Sequence, residues 1–516
     1  MKERAGPGTA GAHHHGHIGC CGISRRRLLQ VAAASAALGA LSGCVSTNPA
    51  TGRRSFTGLY SLEDDIRLGR EEHPKLVRQF GGEYTHPRLN DYVTRIGQQL
   101  ASYGEYPQLQ YHFTILNSPI VNAFALPGGY VYISRGLLTL AGNEAEMAGV
   151  LAHEIGHVNA RHTAERLTAA QAAQIGVLLG AIGARAAGLP SEVAQLGETV
   201  AVMAVQGYSR EQELEADTLG VRYMSRAGYD PDAMATFLGS LRAQSQVEAQ
   251  VLGLPPGEVD EFNAMATHPR TIDRVRQAEA AAQVQRVANP RVAPAEYLGH
   301  IDGMMFGDDP SEGVVVGRRF AHPGLRIAFT VPEGYHLRNL PDRVVATTTG
   351  NDAMIFDIDE VDRGIRDVRD YIVGRWARDR RLDGVERIRI DEQEAATGWF
   401  EANTDRGRVR VRLVAIRRNR NAVYRFLLVT RTSVLARERE ALRRATYSFE
   451  RLSEAEAAKI KALRLLIVPA QAGDRVAVLS RPLPYGQFNE AWFRVMNDLA
   501  PDQPLTPGRL LKVIAS

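Results

Sequence analysis

The stretch L-A-H-E-I-G-H-V-N-A-R-H, residues 151–162, decides the reading of this 516-residue chain. His153 and His157 stand four apart, with Glu154 between them. Upstream, Asn143 and Glu146 have the spacing of a capping box, with Asn143 as N-cap. The run M-A-G-V-L-A-H-E-I-G-H-V then continues as one helix. Residues four apart on a helix share a face, about 6 Å apart along its axis. Two imidazoles so placed can converge on one cation, and the carboxylate between them projects close beside it. A lone histidine on such a face would be a satisfied core residue. This pair, with its glutamate, reads as a zinc site.

Two imidazoles need a further ligand. A third histidine beyond a helix-breaking glycine is excluded, because Ala160 and Thr163 occupy those two places and His162 falls one position early. A carboxylate from another helix remains, and S-R-E-Q-E-L-E-A-D (209–217) offers three. Ser209 and Gln212 form a capping box. Glu213 falls on the small, apolar stripe Ala216, Gly220, Val221, Met224, whereas Glu211 shares a polar face with Glu215, Thr218 and Arg222. Periodicity therefore selects Glu213 as the inward carboxylate. Asp217, one turn on, is placed to accept a hydrogen bond from a ligand histidine and fix its tautomer.

The formal charge of +4 arises at the start of the chain. Lys2, Arg4, Arg25, Arg26 and Arg27 stand against Glu3 in the first 43 residues; without them 57 basic and 57 acidic side chains balance. Global charge thus gives no support to nucleic-acid binding. The run R-G-R-V-R-V-R-L (406–413) reads as a strand with one solvated face. Residues 24–44 read as an export signal: Arg25 to Arg27, then an apolar run of about 14 residues, too short to span a bilayer. Ser24-Arg25-Arg26 resembles a twin-arginine signal, and Leu41-Ser42-Gly43-Cys44 resembles a lipobox. That likeness implies removal of 1–43 and lipidation of Cys44, which anchors the chain to a membrane. Cys20, Cys21 and the cluster His13, His14, His15, His17 would leave with the signal. The mature chain then has no free thiol, so a zinc site must use histidine and carboxylate.

Residues 44–60 read as a polar tether. From 61 to 285 helical periodicity dominates. It is broken by short strand-like pieces, among them Tyr130–Ser134 after the turn Pro127-Gly128-Gly129. The segment 172–189 is apolar but rich in Ala and Gly and interrupted by Arg185, which suits a packed or membrane-apposed helix rather than a span. The pattern lapses over 286–310. Residues 311–452 are a separate α+β domain, with strands such as R-V-V-A-T-T-T and M-I-F-D-I-D and a helical piece over 367–380. The last segment, 460–516, has two short apolar runs around a small helix.

Five motifs in this order resemble the zinc endopeptidases related to the CAAX prenyl protease and HtpX, and among them a branch of periplasmic lipoproteins that assist outer-membrane β-barrel assembly. They are N-P-A-T-G-R (48–53), N-A-F-A-L-P-G-G-Y-V-Y-I-S-R-G-L-L (122–138), H-E-I-G-H (153–157), E-L-E-A-D (213–217) and T-H-P-R-T-I-D-R (267–274), spread over about half the chain. The resemblance implies an α+β protein whose 61–285 domain is a mainly helical zincin of gluzincin type. It implies one zinc ion on His153, His157 and Glu213, with Glu154 catalytic, and a small sheet whose exposed edge pairs with substrate backbone. It also brings His268 and Arg274 to the active site, with His268 either donating to the oxyanion or closing on zinc as a fourth ligand. Stalled or unfolded envelope proteins are the implied substrates, and Val45 after the lipidated cysteine fits the periplasmic side of an outer membrane. That branch carries tetratricopeptide repeats, which 311–452 does not resemble, so partner recognition is not carried across. Residues 460–516 resemble a degenerate LysM module at Gly473-Asp474, Asn497-Asp498-Leu499 and Pro507-Gly508, which implies peptidoglycan; a plain small αβ domain is the alternative. The rival from another class is a latent chaperone or peptidoglycan-tethered assembly factor with a gated zinc site.

Overall fold

The helix carrying the histidine pair lies at the centre of the molecule, and its surroundings explain its sequence. A computed structural model describes residues 45–57, 60–169, 207–253, 268, 272–361, 364–404 and 407–516. The signal, Cys44, the apolar run 172–189 and Pro269 lie outside the described residues. The helices toward the first half are α1 (Leu62–Gln79), α2 (Pro87–Ala101), α3 (Arg135–Leu140), α4 (Glu144–Ala160), α5 (Arg210–Arg226), α6 (Asp232–Val251), α7 (Ile272–Val284) and α8 (Pro294–Ile301). Every residue of α4 is buried. A helix that is apolar nearly all round belongs inside, not on a surface.

Asn143 caps α4 by accepting from the Glu146 backbone N–H at 2.9 Å. Glu146 does not return the bond to Asn143, as a capping box would have it; its Oε2 accepts from the Gly142 N–H at 2.7 Å. The helix ends at Arg161, whose φ of 55° is left-handed and stops the spiral. Helix α5 packs against α4 through two glycines. A Cβ on Gly156 would come within 3.0 Å of the Ala216 carbonyl oxygen, and one on Gly220 within 3.1 Å of the His153 nitrogen. Close approach of the two backbones brings Glu213 to the histidines.

Strands β1 (Val45–Thr47) and β2 (Arg54–Phe56) form an antiparallel hairpin. The stretch expected as a tether is here docked: Asn48 Nδ2 donates to the Ala160 carbonyl at the end of α4, at 2.7 Å. Strands β3 (His112–Leu116), β4 (Ala123–Leu126) and β5 (Tyr130–Ser134) make a sheet in the order β3-β5-β4. The strand singled out by the sequence, β5, is therefore the middle one, parallel to β3 and antiparallel to β4. The edges are β3 and β4. The four-residue A-F-A-L of β4 is too short and too uniformly apolar to announce itself as a strand.

The interval 286–310 is not a lapse in structure. It holds α8 and β6 (Met305–Phe306), and Tyr297, Leu298, Ile301, Met304 and Phe306 lie in the same core as Leu138, Met147 and Leu151. Helix α8 starts after Ala293, in left-handed backbone and without a side-chain cap, so Pro294 at its first position and Glu296 in its first turn are the start signals it has.

Residues 311–452 form the expected mixture of strands and helix. Seven antiparallel strands run in the order β10 (His336–Leu340), β11 (Arg343–Thr347), β12 (Ala353–Glu360), β16 (Ala422–Arg431), β15 (Gly407–Asn419), β14 (Gln393–Thr404) and β13 (Asp383–Ile390). Four more run in the order β17 (Glu450–Arg451), β9 (Ile327–Thr330), β8 (Arg319–His322) and β7 (Val314–Val316). Phe320, Phe329, Phe356, Phe426 and Phe449 centre their own core. Along β15, Val409, Val411 and Leu413 are buried, and the intervening Arg410 and Arg412 lie half-buried on the other face. The helical piece at 367–380 reduces to a turn, Val368–Tyr371, and one π-helical stretch, Ile372–Trp376.

The last segment pairs β18 (Leu463–Pro469) with β19 (Leu510–Ala515) and with β6, and its small helix is Asn489–Met496. Phe493, Leu511 and Ile514 join the core around α4. Lys512 Nζ donates to three carbonyls at the end of α3, those of Thr139 (2.7 Å), Leu140 (3.1 Å) and Ala141 (2.6 Å). This segment is built into the helical domain. None of the described helices is long and apolar enough to cross a membrane.

Candidate active site

Helices α4 and α5 bring three possible metal ligands together. His153 Nε2 and His157 Nε2 lie 3.0 Å apart. Glu213 Oε2 is 3.6 Å from the first and Glu213 Oε1 is 3.5 Å from the second. His268 adds its Nδ1, 3.3 Å from His153 Nε2 and 2.7 Å from Glu213 Oε1. One atom from each of these residues lies within 4.8 Å of the others, a group that could hold a metal ion. Glu154 stands beside them, with its Oε1 at 3.4 Å from His268 Nε2. Its Oε2 is buried and has no hydrogen-bond partner among the described residues.

The groups behind the donors orient them. His153 Nδ1 lies 2.8 Å from Asp217 Oδ1. Asp217 takes two bonds from Arg274, Nε to Oδ2 at 2.8 Å and Nη2 to Oδ1 at 2.7 Å, and Arg274 Nη1 reaches Glu213 Oε2 at 2.8 Å. Burial by itself would push the Asp217 carboxyl up, but Arg274 and His153 outweigh it and hold the group ionised, well below the usual range. The same contest lowers Glu213, where burial is opposed by His268 and Arg274. An ionised Asp217 makes His153 Nδ1 a donor, so a neutral His153 turns a lone pair inward from Nε2. Burial drives His157 well below its ordinary pKa, which favours its neutral form. Two imidazole nitrogens and a carboxylate then face one another across 3.0–3.6 Å. Such an acceptor-rich cage fits a zinc ion, whose usual ligands are these groups.

Of the residues the sequence singles out, His153, Glu154, His157, Glu213, Asp217, His268 and Arg274 all gather here. Arg274 lies behind the ligands, its guanidinium taken up by two carboxylates. Three neighbours went unnoticed as site residues. Tyr208 stacks on His157 with ring centroids 3.8 Å apart, and His162 and Glu215 lie behind the same ring. Over His153 and Glu154 opens a narrow cleft of about 50 Å³, walled by Val121, Ala123, Leu137, Val150 and Phe237. A far larger cavity, about 1120 Å³, is walled by the helical domain, the 311–452 domain and the C-terminal segment together, and it touches none of the four donor residues.

A histidine pair on one helix, a glutamate from a second and a further carboxylate alongside define a metallopeptidase. The chain belongs to peptidase family M48, whose pattern it matches over residues 87–282. Membership in that family implies zinc as the metal. Among curated relatives, the chain is 30% identical over 218 residues to the β-barrel assembly-enhancing protease of Escherichia coli strain K12, covering 41% of this chain and 43% of that protein. It is 34% identical over 252 residues to the putative β-barrel assembly-enhancing protease of Vibrio cholerae, 47% of each chain. It is 30% identical over 246 residues to the mitochondrial metalloendopeptidase OMA1 of Schizosaccharomyces pombe, 46% of this chain and 67% of that one. The chain thus spans less than half the length of the two bacterial relatives.

Proposed function

We propose that this chain is a zinc-dependent endopeptidase of the bacterial envelope, lipid-anchored at Cys44 and facing the periplasm, that cleaves unfolded or stalled outer-membrane proteins. The observation that carries the hydrolytic part is the convergence of His153, His157 and Glu213 beside a carboxylate oxygen with no partner. Those three residues would hold the metal, and a bound zinc ion supplies the Lewis acidity that peptide hydrolysis at neutral pH requires.

Glu154 takes the proton of the attacking water and returns it to the leaving amine. Burial raises its proton affinity, which suits a base that must hold the proton briefly. Asp217 and Arg274 keep His153 in the correct tautomer. Substrate lies extended along β4, whose first residue, Ala123, borders the cleft over Glu154. An edge strand offers unpaired backbone groups to any sequence, which suits a protease for unfolded chains.

The envelope setting is supported by the export signal, the lipobox and the printed names of the bacterial relatives. Val45 after the lipidated cysteine favours the outer membrane. The LysM-like spacing in 460–516 supports contact with peptidoglycan. Casein digestion by the purified chain, with and without a chelator, tests the reading. Cleavage that survives complete metal removal sinks it.

A second reading, a latent form of the same site, is favoured by His268. Its Nδ1 sits among the donors, so the imidazole closes the position substrate needs until a chain displaces it.

A further inference from the structure

Each of the paired histidines turns one ring nitrogen to the metal position and one away from it. His153 turns its outer nitrogen to a carboxylate, the usual support for a metal-binding imidazole. His157 does not. Its Nδ1 meets Nδ1 of His162 at 2.8 Å, with the two rings nearly at right angles. His162 in turn places Nε2 at 3.1 Å from Glu215 Oε2, and Arg53 Nη1 lies 3.1 Å from the same oxygen. His162 is 1% exposed and His157 2%, so solvent does not compete for the bond between the two rings.

Two facing Nδ1 atoms can share only one proton, and the far end of the chain decides which ring owns it. An ionised carboxylate can only accept. His162 Nε2 must therefore donate to Glu215, which leaves a neutral His162 with its lone pair on Nδ1. His157 Nδ1 must then carry the shared proton, and the lone pair of His157 lies on Nε2, toward His153 and Glu213. Reversing the first bond reverses both others and puts a proton where the metal would bind.

We propose that Glu215 and His162 are positioning residues for the metal site, a carboxylate–histidine–histidine relay that fixes the tautomer of His157. The relay rests on the reading of His157 as a zinc ligand. Its outer end is held by Arg53, in the hairpin docked on α4, which gives the N-P-A-T-G-R motif a connection to the metal centre. The left-handed Arg161 makes the geometry possible, since it breaks the helix and lets His162 fold back behind His157.

The test uses the purified full chain. Zinc affinity is measured by competition with a chromogenic chelator, and histidine tautomers are read in the metal-free protein by ¹⁵N NMR. Glu215→Gln and His162→Ala should each weaken zinc affinity by about 10–100-fold, with the metal-free melting temperature little changed. The His157 signal should lose its preference for a proton on Nδ1. His162→Gln, whose amide oxygen can accept from His157, should restore most of the affinity. Should His162→Ala fail to fold, Glu215→Gln decides, because it preserves shape and lies at the edge of the core. Wild-type affinity and an unchanged tautomer in Glu215→Gln overturn the relay. A wild-type chain that binds no zinc overturns the metalloenzyme reading instead, while the tautomer measurement still judges the relay.

Discussion

Arg274 grips Asp217 with two parallel hydrogen bonds, 2.7 and 2.8 Å long, and Asp217 accepts the outer proton of His153. The pair is wholly buried, 57 residues apart in sequence, and ties α7 to α5 directly behind the metal position. Asp217→Asn keeps the shape but loses the charge. It takes away one of the two carboxylates that hold the buried Arg274 guanidinium, leaving Glu213, and allows His153 to adopt the wrong tautomer. Zinc affinity should fall by about 10–100-fold, and stability by about 3–5 kcal/mol, as for breaking a buried ion pair. Metal titration and urea unfolding check the two effects separately.

Two acidic residues of α5 make a sharper comparison. Glu213→Gln should strip most of the zinc from the purified chain, because it removes the anionic ligand. Glu211→Gln should not, since Glu211 is exposed on the opposite face. Metal content by atomic absorption decides; equal zinc in both variants would remove Glu213 from the ligand set.

Glu154→Gln should bind zinc and melt like wild type yet lose proteolysis by at least about 10²-fold, since only the proton acceptor changes. Casein cleavage near the wild-type rate would take Glu154 out of the mechanism.

The site was legible because its parts obey one period. Glu213, Ala216, Gly220, Val221 and Met224 fall on one face of α5, and all are buried. The strands of 311–452 were equally plain where Arg and Val alternate in β15. What stayed hidden depends on contacts no window of sequence contains. His162 is five residues from His157 and off the helical period, so only the left-handed Arg161 reveals that the two rings meet. Lys512 bonds to carbonyls more than 370 residues away, so the final segment looked like a separate module. The lack of a polar cap hid α8, and the shortness of β4 hid the sheet edge nearest the metal position.

Lys512 supplies a prediction about pH. Burial pushes its ammonium down to about 7, against the pull of Glu146 and Asp498. In the unfolded chain its pKa returns to the ordinary lysine value, so between about pH 7 and 10 the unfolded state binds the proton more readily. Stability from this group therefore rises with pH across that window, by up to about 1.4 kcal/mol per unit, and the full penalty is present below about 7. Urea unfolding of wild type at pH 7 and pH 9 should show this gain relative to Lys512→Met, which cannot titrate. Parallel pH profiles for the two proteins would show that Lys512 keeps its proton, held by its three carbonyls.

His268 separates a switch from a catalyst. Its Nδ1 lies 2.7 Å from Glu213 Oε1 and 3.3 Å from His153 Nε2, while its Nε2 lies 3.4 Å from Glu154 Oε1. An imidazole in that place can occupy the position substrate and water require, as a fourth ligand to zinc. If it does, His268→Ala should raise basal cleavage of an unfolded protein and promote self-cleavage, because the obstruction is gone. If His268 instead donates to the oxyanion, the same change should lower the rate by about 10²-fold or more with zinc content unchanged. The position of Nδ1 among the donors suits the switch, while the ring also lines the cleft, as a group that stabilised the oxyanion must. Rate and bound metal, measured together on His268→Ala, distinguish the two roles, and an unchanged rate eliminates both.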